Sequence, residues 1–541
     1  MKRLITTILL IAVAAGSFLM LGGNRKMTLA AGPSPIGLDM SEFLLKEAKD
    51  ANAVMEEIES LQASSIKLSL PWQAVESAAG LFAWSINPQG TPIDLVDLFN
   101  RIAAQGVDIT LVLEGFPAYL QYENLNEQAV VTTYLDCWER YVKAVVAQFG
   151  EVVHSWQIGE SINLPLNIQA SPIASAILAS PATFAQRLEI ASAAIKEADR
   201  NDLVILGGIV SDTGNCLNQP SAFLHSLNSL DAWGAFDVIG IDLITYPIPP
   251  EGKYMYQTYD TITGACITSA EGGFSLVEII ALVDAVSSQY GSKPIWITNL
   301  QWDSMDVSGM AEQRGTLLDL VKADLLSRAS LMLLGGHNVQ QIYWQHSGGA
   351  VEQSDQFGVF SRQVFMNLSQ SLRGFRRAAD QSDLFAGVYQ YRMTTSGKVN
   401  IYVWRGIGGD QFQPYTMSNI DGYSLQAFSL DAQGVAKEYG VNLSVNENGE
   451  TTFMLSERPV LVQAIPTDLK ERISLYLEGL FSSAGSSLKK SADSVIDAQK
   501  EKASQKVEEW VDEQKDSLFE MIKNSLMEWL KEAINLEQLP F

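Results

Sequence analysis

Residues 152–163 read VVHSWQIGESIN, a short apolar strand (Val153–Ile158) that ends on one carboxylate, Glu160, and opens into a Ser/Asn loop. Barrel enzymes present acids to substrates in this way, from the C-terminal ends of parallel strands. The counterpart stretch is KPIWITNLQWDS, residues 293–304, a second apolar strand running into polar residues, where the strand-end position is Asn299. Working outward, the same beat of apolar strand, polar loop and amphipathic helix recurs from Ile36 onward. The strands are read at Ile36–Asp39, Ile66–Leu70, Ile109–Leu113, Val153–Ile158, Val204–Ile209, Val238–Leu243, Ile295–Thr298 and Gln340–Trp344. Helical patterns such as LVDLFNRIAAQG and FAQRLEIASAAIKEADR separate them.

Eight such units suit an α/β fold of the (β/α)8 TIM-barrel type over residues 35–380. A doubly wound open sheet uses similar units, but polar residues at the strand C-termini all along the series, with no single Gly-rich phosphate loop, favour the barrel. The longest insertions, 161–181 and 245–273, follow strands and so belong to the catalytic face. From 383 to 466 the pattern changes to short alternating strands (GVYQYRM, KVNIYVWRG, TTFMLS, PVLVQAI) split by Gly-containing turns, an antiparallel β-sandwich domain. Residues 467–541 form a third region. There Val507, Val511, Leu518, Ile522, Leu526, Trp529 and Ile534 recur at helical spacing, which predicts a C-terminal amphipathic helical tail. Such a helix either packs on the protein or a second copy, or attaches to a membrane or envelope surface.

The chain opens with Lys2 and Arg3 before a long apolar run, and Thr28-Leu29-Ala30 offers a cleavage site. Residues 1–30 are therefore a signal peptide or an uncleaved N-terminal anchor, and the protein is expected to be secreted or held at the cell envelope. A formal net charge of −25 argues against a nucleic-acid partner. Cys137 falls in a helical pattern as a buried thiol. Cys216 and Cys266 lie in loops after strands and could pair in an oxidising compartment. The four histidines are scattered without ligand spacing, so no metal site is expected. Neither a nucleotide loop nor a Gly-x-Ser-x-Gly elbow occurs, and no cofactor is expected.

The succession of segments resembles clan A glycoside hydrolases across about residues 35–465. SLPWQAVESAAGLFAW resembles their second-strand region, FDVIGIDLITYP the sixth strand, IYWQH the eighth, and ERPVLVQAI the last strand of the accessory domain. The resemblance implies that Glu160 is the acid/base and Asn299 occupies the nucleophile position. It also implies that Lys67 stands for the usual strand-2 Arg, Asp242 for a frequent His, and Gly159 for the Asn before the acid. An amide cannot form a glycosyl ester, so the expected activity is binding of a poly- or oligosaccharide rather than retaining hydrolysis. Trp72, Tyr119, Tyr246, Trp302 and Trp344, at or beyond strand ends, are the candidate sugar platforms, with Gln345 and His346 as added hydrogen-bonding groups. One alternative is an active glycosidase that uses Glu160 as general acid, with Asp303, Asp306 or Glu114 as substitute base, or with substrate assistance. A further alternative is a non-catalytic envelope scaffold.

Overall fold

The computed structural model describes residues 33–466, apart from 118, 121–124, 165–171, 213, 244, 246–248, 254–256, 269–272, 303–314, 347–357, 396–397, 407–412, 419–422, 431–443 and 446–449. The N-terminal segment, the predicted helical tail, Tyr246, Asp303 and Asp306 lie outside the described residues.

Eight parallel strands close into a barrel: β1 (Ile36–Asp39), β2 (Ser65–Pro71), β3 (Asp108–Glu114), β4 (Ser155–Ile158), β5 (Leu203–Val210), β6 (Val238–Leu243), β7 (Ile295–Leu300) and β8 (Val339–Gln345). β1 pairs with both β2 and β8, which closes the ring. Among the described residues, the longer helices that follow or connect the strands are α1 (Ala51–Leu61), α2 (Leu95–Ala104), α3 (Glu127–Phe149), α4 (Pro181–Ala198), α5 (Pro220–Ser229), α6 (Leu276–Tyr290), α7 (Gly315–Gly335) and α8 (Val359–Ser371). Their starts follow local capping chemistry. Asp50, Asp94, Asn126 and Ser180 each accept a first-turn N–H, and Ser275 with Glu278 forms a capping box on α6. Among the described residues no helix is long and apolar enough to cross a membrane.

The barrel interior is not wholly apolar. Thr110 of β3 and Tyr343 of β8 share a 2.8 Å hydrogen bond across it, and Lys67 of β2 is fully buried. Strands alternate their side chains, so Lys67 and Ser69 share one face while Ile66, Leu68 and Leu70 take the other. Polar residues thus gather inside at the C-terminal mouth.

A sheet domain follows, starting at Arg377, within the stretch that the sequence assigned to the barrel. One sheet has the order β9 (Arg377–Asp380), β10 (Val388–Thr395), β11 (Lys398–Arg405), β16 (Val460–Pro466), β13 (Tyr423–Ser429). The other has the order β12 (Gln413–Ser418), β15 (Glu450–Leu455), β14 (Ser444–Val445). Val403 and Val462 of the first sheet and Phe453 and Leu455 of the second belong to one apolar cluster. The domain is fastened to the barrel by a buried ion pair. Arg328 of α7 donates to Glu251 at 2.7 Å, and Trp404 of β11 donates to the other oxygen of the same carboxylate at 2.7 Å. Both charged side chains are almost fully buried, so each depends on the other to offset its desolvation.

Cys216 and Cys266 form a disulfide, with Cα atoms 5.9 Å apart, and Cys137 is a buried free thiol. The bond ties the loop after β5 to the hairpin Gln257–Asp260/Ala265–Thr268 that lies in the long insertion after β6.

Candidate active site

At the mouth of the barrel the chain changes direction abruptly after β4. Gly159 has φ +83° and Ser161 φ +50°, two left-handed residues flanking Glu160. A Cβ at position 159 would meet Ile162 Cγ2 at 2.7 Å. An Asn there would need both a left-handed backbone and a shift of the Ile162 side chain, and glycine adopts this turn beside Glu160 with neither cost.

Lys67 organises what Glu160 meets. Its Nζ lies 2.7 Å from Glu160 Oε1 and 2.8 Å from Asp39 Oδ2. Asp39 also accepts from Ser41 N (3.0 Å) and Ser41 Oγ (2.5 Å). Asp242 accepts from Thr298 Oγ1 at 2.7 Å and from Ser161 N at 3.3 Å. Its carboxylate occupies space that Gly208 leaves open, since a Cβ there would lie 2.0 Å from Oδ2. Glu114, at the end of β3, accepts from Ser69 Oγ, and Gln157 reaches Glu160 Oε2 at 3.5 Å. Four carboxyl groups from four strands thus share the field of one ammonium.

The charge balance decides their protonation. Burial works against the Lys67 charge, but Asp39, Glu160 and Asp242 around it overcome that and push its pKa up. Burial lifts Glu160 well above the ordinary carboxylate range. Lys67 pulls it back only in part, while Asp242, Asp39 and Glu114 push further up. Burial likewise raises Asp242 and Glu114, against the opposing effect of Lys67. Glu160, with 23% of its side chain exposed, is reachable from solvent and is the strongest candidate to carry a proton at neutral pH.

Beside Glu160 lies a cavity of about 20 Å³, lined by Glu114, Gly115, Gly159, Glu160, Ile162, Leu164, Ala179 and Arg187. That is room for about one or two waters, not for a sugar ring.

The expected aromatic platforms are placed differently. Trp72 is fully buried, stacked on Tyr141 at 4.8 Å, with its indole N–H on Glu76. Trp344 is fully buried as well, donating to Ser330 Oγ at 2.8 Å. Trp302 is 2% exposed. A ring that the core has already covered has no face left for a sugar, so these three are corrected from platforms to core residues. Tyr119 is half-buried and accepts from Arg140 at 2.5 Å. Asn299 lies opposite Asp242 across a register shift between β6 and β7, and its buried Oδ1 has no hydrogen-bond partner among the described residues. Gln345 Nε2 donates to Glu42 at 3.3 Å, and His346 Nε2 lies 2.6 Å from Glu57.

Sequence reasoning missed Asp39 as the second carboxylate on Lys67 and missed Arg187 altogether. Asp39 was readable as a strand-end acid. Arg187 shares a helical stripe with Phe184, Leu188 and Ala191, and a charged residue in an apolar stripe is the signal that could have found it.

At the other end of the barrel, His154, Asp199 and Asp202 bring donor atoms within 4.8 Å of one another. Asp202 already accepts from Trp156 Nε1 and contacts His154 Nδ1, both at 2.9 Å. The group therefore reads as a hydrogen-bond network under β4 and β5.

No protein-family model matches the chain, and no curated protein matches it. Among solved structures it is similar to a family 39 glycoside hydrolase from the gut symbiont Bacteroides cellulosilyticus WH2, with TM-score 0.57 and 15% identity over 80% of this chain and 81% of that one. It is also similar to a GH30 endoxylanase from Clostridium papyrosolvens C71, with TM-score 0.50 and 14% identity over 81% of this chain and 99% of that one. The chain, with its closed eight-stranded parallel barrel, shares its fold with these glycoside hydrolases, and at such identity the likeness is one of fold alone.

Proposed function

We propose that the protein is an exported, glycoside-hydrolase-like barrel that binds a poly- or oligosaccharide at its C-terminal mouth without retaining hydrolysis. In this reading, Glu160 in its neutral form presents an O–H to a hydroxyl or glycosidic oxygen of the sugar. The observation that carries it is the distribution of carboxyl groups. Position 299 holds an amide, while Asp39 and Asp242 are committed to Lys67, Ser41, Thr298 and Ser161. A nucleophile must be free to reach the anomeric carbon, and neither acid is. The leader-like N-terminus and the Cys216–Cys266 disulfide support export.

The alternative is an active glycosidase with Glu160 as general acid. It is favoured by the direction in which burial and the neighbouring acids push Glu160, upward toward the neutral acid. A glycan array combined with product analysis separates the two. Binding without released sugar is expected from the wild-type protein, and Asn299→Glu is expected to add turnover that Glu160→Gln abolishes. Wild-type turnover would select the alternative. Absence of both binding and turnover would leave the barrel as a scaffold whose role lies elsewhere in the chain.

A further inference from the structure

Arg187 is 2% exposed, and its Nε and Nη2 are buried with no hydrogen-bond acceptor among the described residues. The two nitrogens lie on one edge of the planar guanidinium. Aromatic rings surround the group, with the centroid of Trp138 4.7 Å from its central carbon and those of Tyr134 and Phe184 at 5.5 Å. Cation–π contacts are weak beside the cost of taking an ion out of water, so the open edge still calls for an acceptor. Nη2 lies beside Gly159, 3.8 Å from where a Cβ would stand, and Gly159 and Arg187 both line the cavity next to Glu160. The donor edge therefore borders that cavity.

The size and walls of the cavity decide what fits. About 20 Å³ holds one or two water-sized groups, so a sugar ring kept in the mouth reaches it only with a side arm. A hydroxymethyl arm is two heavy atoms long. Its carbon meets apolar walls at Ile162, Leu164 and Ala179, and its hydroxyl has two lone pairs and one proton to place. Nε and Nη2 of Arg187 match the lone pairs, and a carboxyl oxygen of Glu114 or Glu160, which also line the cavity, takes the proton. A ring hydroxyl lacks the reach, and an acetamido group is twice the size. A carboxylate adds a third heavy atom and a charge that faces two acids. We propose that this cavity is the subsite for the primary hydroxymethyl group of a hexose unit, with Arg187 as its specificity-determining residue. The inference rests on the reading of the barrel mouth as a glycan cleft and narrows its substrate class. Hexose-based glycans with a free 6-hydroxyl are selected over xylose-based, 6-deoxy and uronic ones.

The test presents the full chain with an array of cello-, manno-, galacto- and xylo-oligosaccharides. Calorimetric titration then compares the tightest hexose-based binder with analogues that carry a 6-deoxy or 6-carboxylate unit at each position in turn. Loss of the 6-hydroxyl at one unit is expected to weaken binding about tenfold or more, since it leaves buried charged donors unpaired. The 6-carboxylate at that unit is expected to bind no better than the 6-deoxy form. In Arg187→Met the parent and 6-deoxy glycans are expected to bind alike. Ala179→Leu, which fills the cavity from an apolar wall and keeps Arg187, is expected to have the same effect, and it decides if Arg187→Met fails to fold. Wild-type protein that binds the parent and every 6-deoxy analogue equally, prefers the carboxylate, or binds only xylo-oligosaccharides overturns the proposal. So does a preference that survives in either folded variant. Binding of no glycan at all removes the cleft reading and this inference with it, whereas binding without a 6-hydroxyl preference removes the inference alone.

Discussion

Two ion clusters lie side by side near the mouth of the barrel, joined through the backbone where His346 N donates to the Asp39 carbonyl at 2.9 Å. In the first, Glu57 of α1 is held by His346 and by both terminal nitrogens of Arg362. Burial works against that carboxylate, yet its two partners bring it down to about 2. In the second, four carboxyl groups compete for Lys67, and burial and mutual repulsion drive Glu160, Glu114 and Asp242 upward. One acid held by the Arg362 guanidinium and by a ring nitrogen of His346 makes a structural clamp that ties α1 to α8. Four acids around one ammonium leave more carboxyl groups than the single cation can neutralise. Perturbed groups often collect at functional sites, and here the direction of the shift separates the candidate site from the clamp.

Breaking the second cluster should cost most. Lys67→Met leaves Asp39, Glu160 and Asp242 buried without their cation, and removing one partner of a buried charge cluster costs about 3–5 kcal/mol. Urea denaturation should show that loss at neutral pH. It should shrink as the pH is lowered, because protonating the acids removes the repulsion. An equal loss at all pH values would mean that Lys67 acts through packing alone. Breaking the clamp should cost somewhat less. Glu57→Gln forfeits the preference of the fold for the ionised acid, about 3 kcal/mol for a fall from 4.5 to about 2 at about 1.4 kcal/mol per unit. A depressed folded-state pKa gives stability that is present above about 4.5 and is lost as the pH falls toward about 2. The gap between wild type and Glu57→Gln should therefore close across that window, the same direction of change as for Lys67→Met but centred at lower pH. A gap that persists at pH 2 would assign the role of Glu57 to packing.

Much of this architecture could be read from the chain alone. All eight barrel strands fall where apolar runs were recognised, because a parallel strand covered on both faces has little freedom in composition. Glu160 was legible as the polar end of such a run, Asp242 was placed only through the family resemblance, and the two cysteines of the disulfide were legible as loop residues after strands. The aromatic rim was misread for a physical reason. A Trp beyond a strand end suits either a sugar or the helix layer, and only the packing of Trp72 against Tyr134, Trp138 and Tyr141 decides. Lys67 was placed, but not as the centre of a cluster, because the groups that meet there are contributed by strands up to about 200 residues apart. Closure of the barrel brings them together, and no local pattern encodes it.

Crowding around Lys67 is expected to hold Glu160 as the neutral acid at physiological pH. The direct measurement is a 13C NMR titration of the glutamate side-chain carboxyls, with the Glu160 signal assigned by its loss in Glu160→Gln. The account predicts a Glu160 midpoint well above the ordinary 4.5, while Glu57 in the same spectra titrates near 2. A Glu160 midpoint at or below 4.5 would contradict it, making Glu160 an ordinary ion-pair partner of Lys67 and removing the proton that the proposed cleft requires.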